Sequence, residues 1–521
     1  MARRGEIFAL SAVGLLLGVA VVVSWGRLGP EPGSRNQTDW LGLLAVVAPN
    51  DASKAHFLFL LVPALSLLML CWWHLVRLAA ARQVTSRAAG LVSAAWTLPF
   101  AIGPVIGSRD AYAYVAQGEL ARRGLDPSRA VVGQLGPGPL LDAVDPRWRD
   151  TRPPYGGVAV AIQKGAAAAG HPTVSLVVLR LVALGAVGLL VLIAARMVSP
   201  DRRPSVIAAI GANPLVLVHL VAGAHLDAVA AALLVVGLAL GRGGPARHWL
   251  GIVVCTLGAM VKLPVALGAG YLTICALLAA GPSLAARLRS LARDAVAVVA
   301  AIGLSMALSG GGLGWVHNFG TPGRIRTGIA PADIGANLVR GLGWLFGLHA
   351  GGSGVLNAAR VIAAATGALL AARLLLPRRQ RSGEWRPPTL DRLGLALLGL
   401  GLLGPVLYGW YLAPALALLA FAASRPAASP IQRGELPAGL ARGIILILSV
   451  VLTFATVPSL APAWSALDAH PALIASASAT AALVLVASLV VGIRALVRAR
   501  ASRLEQPTHL ARPAASLQQS L

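Results

Sequence analysis

Long apolar runs recur along this chain and constrain its fold more than any other feature. Many of these runs are long enough to cross a hydrocarbon core about 30 Å thick, so we interpret the runs as membrane spans. Lipid offers no water to backbone groups, and the runs are rich in Leu, Val and Ala without the alternation of barrel strands, so helices are predicted. The runs lie at 7–24, 56–77, 88–106, 173–198, 205–222, 224–241, 248–262, 263–280, 294–309, 354–376, 390–408, 410–424, 441–458 and 471–497.

The resulting prediction is an all-α, polytopic integral membrane protein with about 13 or 14 transmembrane helices. Two further segments, at 156–170 and 333–350, are short and interrupted by Gly or charge. We expect them to be re-entrant or interfacial. A single transmembrane domain is predicted over 1–497, and a disordered cytoplasmic tail over 498–521.

The charge of the chain is strongly positive, with 44 Lys+Arg against 19 Asp+Glu and a net charge of +25. In a soluble domain this balance would suggest nucleic acid. Here the cations fall largely in short loops between apolar runs, where membrane topology and anionic lipid headgroups account for them. We therefore expect membrane lipid as a partner and exclude nucleic acid.

Charge also predicts orientation, because cytoplasmic loops carry the Lys/Arg excess. Arg3 and Arg4 place the N-terminus in the cytoplasm, and the later Arg-rich loops return to that side only if 156–170 and 333–350 do not span. The outward-facing pieces then include a long loop at 108–172 and a second loop at 310–353. Nearly every polar cluster of the chain falls on that one side, so we predict that the protein acts at the outer face of the membrane.

The stretch "SRDAYAYVAQGELARRGLDP", residues 108–127, is the most polar of these outer pieces. Asp110, Tyr114 and Gln117 recur at four- and three-residue spacing, which puts them on one face of a helix along the membrane surface. The alternative is an interfacial helix in which Tyr sits at the headgroup level and Arg122 and Arg123 meet lipid phosphates. The pattern alone leaves both open.

Other polar residues interrupt the apolar runs. His225 and Asp227 lie at a predicted outer junction and are close enough in sequence to share a site; the alternative is a helix N-cap or a packed polar pair at a helix end. One His and one Asp are an incomplete ligand set, so no metal is predicted here. Arg180, Lys262 and Arg360 are cations in apolar surroundings, which face a cavity, a partner or the interface. Snorkelling to headgroups is the alternative.

Two outer segments complete the set. Arg324 and Arg326 in "GWVHNFGTPGRIRTG" (314–328) either clamp a phosphate or belong to a solvated loop. In "LYGWYLAP" (407–414), Tyr408, Trp410 and Tyr411 form an aromatic belt or a sugar-stacking platform.

The chain has no Walker or Rossmann glycine motif, so a nucleotide-sugar donor is not expected. An outward site with one prominent carboxylate, several cations and several aromatic rings suits transfer of a group from a lipid-linked phosphate.

Taken in order, five stretches resemble one known family. They are "SRDAYAYVAQGELARRGLDP", "LLDAVDPRWRDTRPPYGG", "NPLVLVHLVAGAHLD", "MVKLP" and "YGWYLAP". Together they resemble the actinobacterial polyprenol-phosphate-mannose-dependent α-1,6-mannopyranosyltransferases of the GT-C superfamily, over about residues 88–425. The chain departs from the family pattern at Leu226, where Asn is usual, and at Ser128, where Tyr is usual.

The resemblance implies a multi-helix GT-C glycosyltransferase of the plasma membrane with outward-facing loop helices. It implies a polyprenyl-phosphate mannose donor, a growing lipid-anchored mannan acceptor (the backbone of lipomannan and lipoarabinomannan), and a site on the periplasmic face. Asp110 matches the family's catalytic acidic residue and is assigned as general base. A GT-C transferase for another polyprenyl-phosphate sugar, such as arabinofuranose, and a transporter or flippase of lipid-linked sugars remain the alternatives.

The expected reaction is a single displacement with inversion, in which no cofactor or metal takes part. Asp110 accepts the proton of the attacking hydroxyl, and cations stabilise the leaving phosphate. The predicted donor phosphate-binding residues are Arg109, Lys262, Arg324, Arg326, Arg180 and Arg152. The predicted sugar- and acceptor-binding residues are Tyr112, Tyr114, Gln117, His225, Asp227, Trp410 and Tyr411.

Overall fold

The computed structural model of the protein describes residues 4–28, 51–321, 323, 325, 327–346, 352–379, 384–426 and 435–457. Over this part of the chain the structure is almost entirely helical. Its strands are the paired segments β1 (Arg378–Arg379) and β2 (Trp385–Arg386). The predicted all-α class is confirmed.

The α-helices are numbered in chain order. They are α1 (Arg4–Leu28), α2 (Asp51–Ala80), α3 (Ser86–Ile102), α4 (Asp110–Arg122), α5 (Pro139–Ala143), α6 (Pro146–Arg149), α7 (Gly157–Ala167), α8 (Pro172–Arg196), α9 (Arg203–Gly211), α10 (Asp227–Leu240), α11 (Pro245–Ala259), α12 (Ala266–Ala279), α13 (Leu284–Ser309), α14 (Pro331–Leu345), α15 (Gly352–Leu375), α16 (Leu390–Leu402), α17 (Ala413–Ala423) and α18 (Ala438–Phe454). A π-helix spans Val216–Ala222, and 3-10 turns include Leu263–Val265, Gly314–Asn318 and Gly409–Leu412.

Several helices are long and apolar enough to cross a membrane. Within the described residues there are five: α1, α8, α13, the His56–Ala80 part of α2 and the Ser353–Leu375 part of α15. Helix α9 and the π-helix form a sixth span if the pair, bent by 66°, crosses as one. The chain is therefore a multi-pass membrane protein. The predicted total of 13 or 14 spans stays a prediction, and the run at 471–497 and the tail at 498–521 lie outside the described residues.

The two weak segments fold as short helices. The segment at 156–170 contains α7, of 11 residues, and the segment at 333–350 contains α14, of 15 residues. At 1.5 Å per residue these helices measure roughly 16 and 22 Å, less than a hydrocarbon core of about 30 Å. Neither is among the helices long enough to span.

Arg180 ties together the helix ends that lead into the polar residues. It lies in α8 and is buried, and its guanidinium donates to the carbonyl oxygens of Ala101 (3.2 Å), Gly103 and Ala222 (2.7 Å). The last carbonyls of a helix have no partner within the helix, so one cation here satisfies the ends of both α3 and the π-helix. The segments carrying Asp110 and His225 begin directly after these ends.

Helix α4 crosses α7 at very short range. A Cβ on Gly118 would lie 2.1 Å from the Gln163 carbonyl oxygen and 3.1 Å from the Ala167 Cβ. Only a residue without a side chain allows the two backbones this close, as at small-residue crossings in membranes. Glycine at this point therefore sets how deeply α4, with Asp110 at its start, lies in the fold.

We predict that Gly118→Ala destabilises the protein by roughly 1 to 3 kcal/mol, the usual effect of overpacking a tight contact. Thermal denaturation of the detergent-solubilised protein measures the change. Gly165→Ala in α7 is the matched control, because a Cβ on Gly165 meets nothing within 4 Å. Equal melting temperatures for the two variants would contradict the close crossing.

Candidate active site

Polar and aromatic residues from separate junctions between helices meet in one cluster. Its members are Asp110 at the start of α4, Tyr114, Trp148, Tyr155, His219, His225 and Asp227 around the start of α10, Lys262 between α11 and α12, and Tyr408, Trp410 and Tyr411 before α17. The sequence alone does not indicate that these junctions are in contact; the fold brings them together.

Asp110 is held at one carboxylate oxygen. Its Oδ1 accepts a hydrogen bond from the indole N–H of Trp148 at 3.0 Å, and its Oδ2 lies 3.8 Å from His225 Nδ1. The side chain is 13% exposed. Burial raises the pKa of Asp110 from 3.8 to about 6, and the nearby ammonium of Lys262 limits the rise. A carboxylate with this pKa is suited to proton transfer near neutral pH.

His225 and Asp227 follow a tight bend at the end of the π-helix. Ala224 has a positive φ of 49°, which turns the chain into α10. The Tyr114 hydroxyl lies within hydrogen-bond distance of His225 Nδ1, at 3.4 Å. Both carboxylate oxygens of Asp227 are buried without a hydrogen-bond partner among the described residues, and the Lys262 ammonium lies 3.6 Å from Oδ1. Asp227 and Lys262 thus form a buried ion pair.

Aromatic rings surround this pair. Trp410 packs face to face with His225 (centroids 3.9 Å apart) and with Tyr408 (4.5 Å). The Lys262 ammonium lies over the rings of Tyr411, at 4.3 Å, and Tyr155, at 5.2 Å. Because Trp410 is 3% exposed and stacked on two rings, little of its own face is left for a sugar. The predicted stacking role suits Tyr408 and Tyr411, which are partly exposed, better than Trp410.

The predicted cations are not all at this cluster. Lys262 lies within it. The guanidinium of Arg109 donates to the carbonyls of Ala143 (2.8 Å) and Asp142 (2.6 Å), and Arg180 binds carbonyls at helix ends. Because these donors bind backbone carbonyls, the contacts favour a packing role for Arg109 and Arg180 over the predicted role in phosphate binding. Arg152 is exposed. Arg324 and Arg326 lie outside the described residues.

The predicted face of α4 divides between two environments. Asp110 and Tyr114 point into the cluster, whereas Gln117 is buried and accepts a hydrogen bond from Gln163 of α7 at 3.0 Å. Tyr112 packs in a second apolar group, with Leu135 and with the Trp148 ring that also reaches Asp110. The helix is largely buried. Arg122 and Arg123, the expected headgroup contacts, are half-exposed and pair with Glu119.

Sequence reasoning missed Trp148, Tyr155 and His219. All three lie in stretches that carry the family resemblance, and this location in the sequence could have indicated that they belong to the site. His219 is fully buried and lies 5.2 Å from the Trp410 ring, and added Cβ atoms on Gly107 and Gly409 would meet its ring at 3.4 and 3.2 Å. Aromatic residues in an apolar stretch are typical of any core, so residue type alone does not select these three.

The loop that contains Ser128 and the loop that contains Asn318 interlock beside the cluster. Asn318 donates to the carbonyl oxygens of Ser128 (2.9 Å) and Pro153 (3.2 Å), and a Cβ on Gly314 would lie 2.5 Å from the Ser128 hydroxyl. Ser128 is one of the two departures from the family pattern. The other, Leu226, is 2% exposed and packs in the core. Both unusual residues are therefore accommodated by close packing.

Within the part of the chain that the structure describes, no three His, Cys, Asp or Glu side chains gather as metal ligands. Cys71, Cys255 and Cys275 are free thiols. Transfer without a metal or cofactor remains a prediction.

Comparison with known proteins identifies the family. A family model described as alpha-(1->6)-mannopyranosyltransferase, N-terminal domain, matches residues 8–281. A relative from Mycolicibacterium smegmatis, named "Probable alpha-(1->6)-mannopyranosyltransferase", is 31% identical over 428 residues, covering 70% of this chain and 74% of its own. An alpha-(1->6)-mannopyranosyltransferase from Mycobacterium tuberculosis is 29% identical over 439 residues, with the same coverage of 70% and 74%. No solved structure matches the chain.

The fold and these matches define a multi-pass membrane glycosyltransferase. The chain belongs to the alpha-(1->6)-mannopyranosyltransferase family. The family predicted from the five sequence stretches is confirmed.

The Asp227–Lys262 pair gives a stability prediction. Lys262→Met strands a buried carboxylate, which should lower the free energy of unfolding by on the order of 3 kcal/mol. The double variant Lys262→Met/Asp227→Asn removes the stranded charge and should recover most of that loss. Thermal denaturation in detergent measures both, and a double variant no more stable than the single one would contradict the pairing.

Proposed function

We propose that the chain transfers mannose from polyprenyl-phosphate mannose to a lipid-anchored α-1,6-mannan, at the outer face of the plasma membrane, with its N-terminus in the cytoplasm. The observation that carries the proposal is the largely buried Asp110 carboxylate, fixed at one oxygen and set beside His225 and Lys262. The names of the relatives and the positive-inside count support the substrate class and the face.

The proposed step is one inverting displacement. The acceptor 6-hydroxyl attacks C1 of the β-mannosyl phospholipid, so the new C1–O6 bond forms as the bond between C1 and the phosphate oxygen breaks. Asp110 accepts the hydroxyl proton. The electron pair of the broken bond leaves with the polyprenyl phosphate, a stable anion that needs no general acid.

Lys262 is proposed to stabilise the leaving phosphate. Its ammonium lies near Asp110 and between the rings of Tyr411 and Tyr155, in surroundings that exclude most water. A fixed cation in such a site stabilises developing negative charge more strongly than it would in water. Arg152, Arg324 and Arg326 remain proposed as further phosphate contacts.

The sugar site is proposed to lie between the aromatic residues and α10. Tyr408 and Tyr411 offer partly exposed rings, and Asp227, His225 and Tyr114 offer polar atoms. The buried Asp227 oxygens and His225 Nε2 have no hydrogen-bond partner among the described residues, so hydroxyl groups of a sugar would supply one. Tyr112 and Gln117, which face other elements, are left out.

A transfer assay tests the function. Purified protein given labelled polyprenyl-phosphate mannose and a short α-1,6-mannoside should extend the acceptor, with an α-1,6 linkage in the product. Asp110→Asn should reduce the rate by about 10²- to 10⁴-fold, the usual contribution of a general base. Asp150→Asn, an exposed carboxylate of the same loop, is the matched control and should keep full activity.

Other outcomes of this assay would redirect the proposal. Transfer of arabinofuranose from its polyprenyl phosphate, and not of mannose, would show that the donor carries a different sugar. Movement of the lipid-linked sugar across reconstituted vesicles without transfer would identify a flippase. Full activity in Asp110→Asn would remove the base assignment.

The raised pKa of Asp110 predicts the pH profile. A base acts when deprotonated, so with a pKa of about 6 the kcat/KM should be constant above neutral pH and fall as the pH drops through 6. The loss should be about tenfold at pH 5. Steady-state rates from pH 4.5 to 8 measure it, and an ordinary Asp would keep nearly all of its activity at pH 5. Activity that stays flat down to pH 5 would contradict the assignment.

A further inference from the structure

Trp148 belongs to a short, strongly braced segment. Asp145 caps α6, because its carboxylate accepts the Arg147 backbone N–H at 2.9 Å as well as the Arg147 guanidinium. Arg149 donates to the carbonyls of Val144 (3.2 Å) and Asp142 (3.1 Å). These contacts fix the backbone on both sides of Trp148.

The same segment is tied to the start of α4. Arg109 donates to the carbonyls of Asp142 and Ala143, and it directly precedes Asp110. The backbone that carries the carboxylate and the backbone that carries the indole are therefore braced against each other. The 3.0 Å bond from Trp148 Nε1 to Asp110 Oδ1 is a contact between two positioned groups.

This bond distinguishes the two oxygens of Asp110. An indole N–H only donates and does not titrate, so it holds Oδ1 at every pH. Oδ2 is not held by the indole: it lies 3.8 Å from His225 Nδ1, and the hydroxyl of Ser108 is the other hydrogen-bonding group beside the carboxylate. Oδ2 is therefore the oxygen left to receive a proton.

We propose that Trp148 is a positioning residue that fixes the Asp110 carboxylate through Oδ1 and so makes Oδ2 the proton acceptor. The inference rests on the proposed role of Asp110 as base. It gives Trp148 a task that apolar packing with Val144 and Leu140 would not require.

The test is the pH profile of Trp148→Phe, which keeps an aromatic ring and removes the donor. A hydrogen bond to a carboxylate favours its charged form, so the loss should move the acid limb of kcat/KM upward by about one pH unit. The kcat at neutral pH should fall about tenfold because the carboxylate is free to rotate. Trp148→Gln, which restores an N–H donor of similar reach, should bring the limb back toward that of the wild type.

Other charged and titratable groups near Asp110 stay unchanged in these variants. They are Lys262, Asp145, Asp227, His225, Tyr114, Tyr155 and Tyr411. Trp315→Phe is the matched control, because Trp315 is a buried tryptophan of the second outer loop that packs on Phe319. It should leave the acid limb where it is.

The outcomes separate the two proposals. If Asp110→Asn is inactive and Trp148→Phe has the wild-type pH profile, the positioning role is wrong and the base assignment stands. If Asp110→Asn is fully active, both are wrong. If Trp148→Phe does not fold, Trp148→Met carries the same test, and an equal loss of rate at every pH would show packing alone.

Discussion

The guanidinium of Arg180 is the interaction on which the arrangement of the site depends. It is buried in α8 and donates to carbonyl groups at the ends of α3 and the π-helix. Helix ends buried in a membrane protein have no water to satisfy them, so an unpartnered carbonyl there is costly. One cation removes that cost at two ends and fixes their separation. The segments that carry Asp110 and His225 both follow these ends.

Buried carboxylates in this fold are paired with Lys or Arg side chains. Asp227 pairs with Lys262, Arg360 with Asp333 and Arg425 with Asp391, and in each pair the carboxylate is almost fully buried. The pairs differ in their other contacts. Asp333 also accepts backbone N–H groups of Thr327 and Gly328, whereas the Asp227 oxygens accept no hydrogen bond within the described part of the chain. An under-satisfied buried pair is typical of a site that completes its bonds with a ligand.

Much of the fold and part of the site could be predicted from the sequence. Apolar runs set the helical class, and the polar residues at junctions pointed to Asp110, His225, Asp227 and Lys262, which the structure does bring together. These residues stand out in the sequence because burial of charge in a membrane is expensive, so a charged residue in an apolar run is a candidate for a functional site. Their roles stay predictions.

The rest depends on information that the sequence does not contain. Arg109 and Arg180 were natural candidates for phosphate binding, but their donors bind backbone carbonyls, and residue type does not reveal which carbonyls lack partners. Trp410 belongs to the cluster, yet His225 and Tyr408 cover it. Trp148 lies 38 positions from Asp110, and only the path of the loop brings the two together.

The close contact between Ser128 and Gly314 limits which residues the two loops can carry. The hydroxyl of Ser128 occupies the space that a side chain at position 314 would need, and Asn318 bonds across the same contact over a separation of 190 residues. A larger residue on one side requires the other side to retreat. The two loops therefore pack as one unit, and the residue at one of these positions limits the size of the residue at the other.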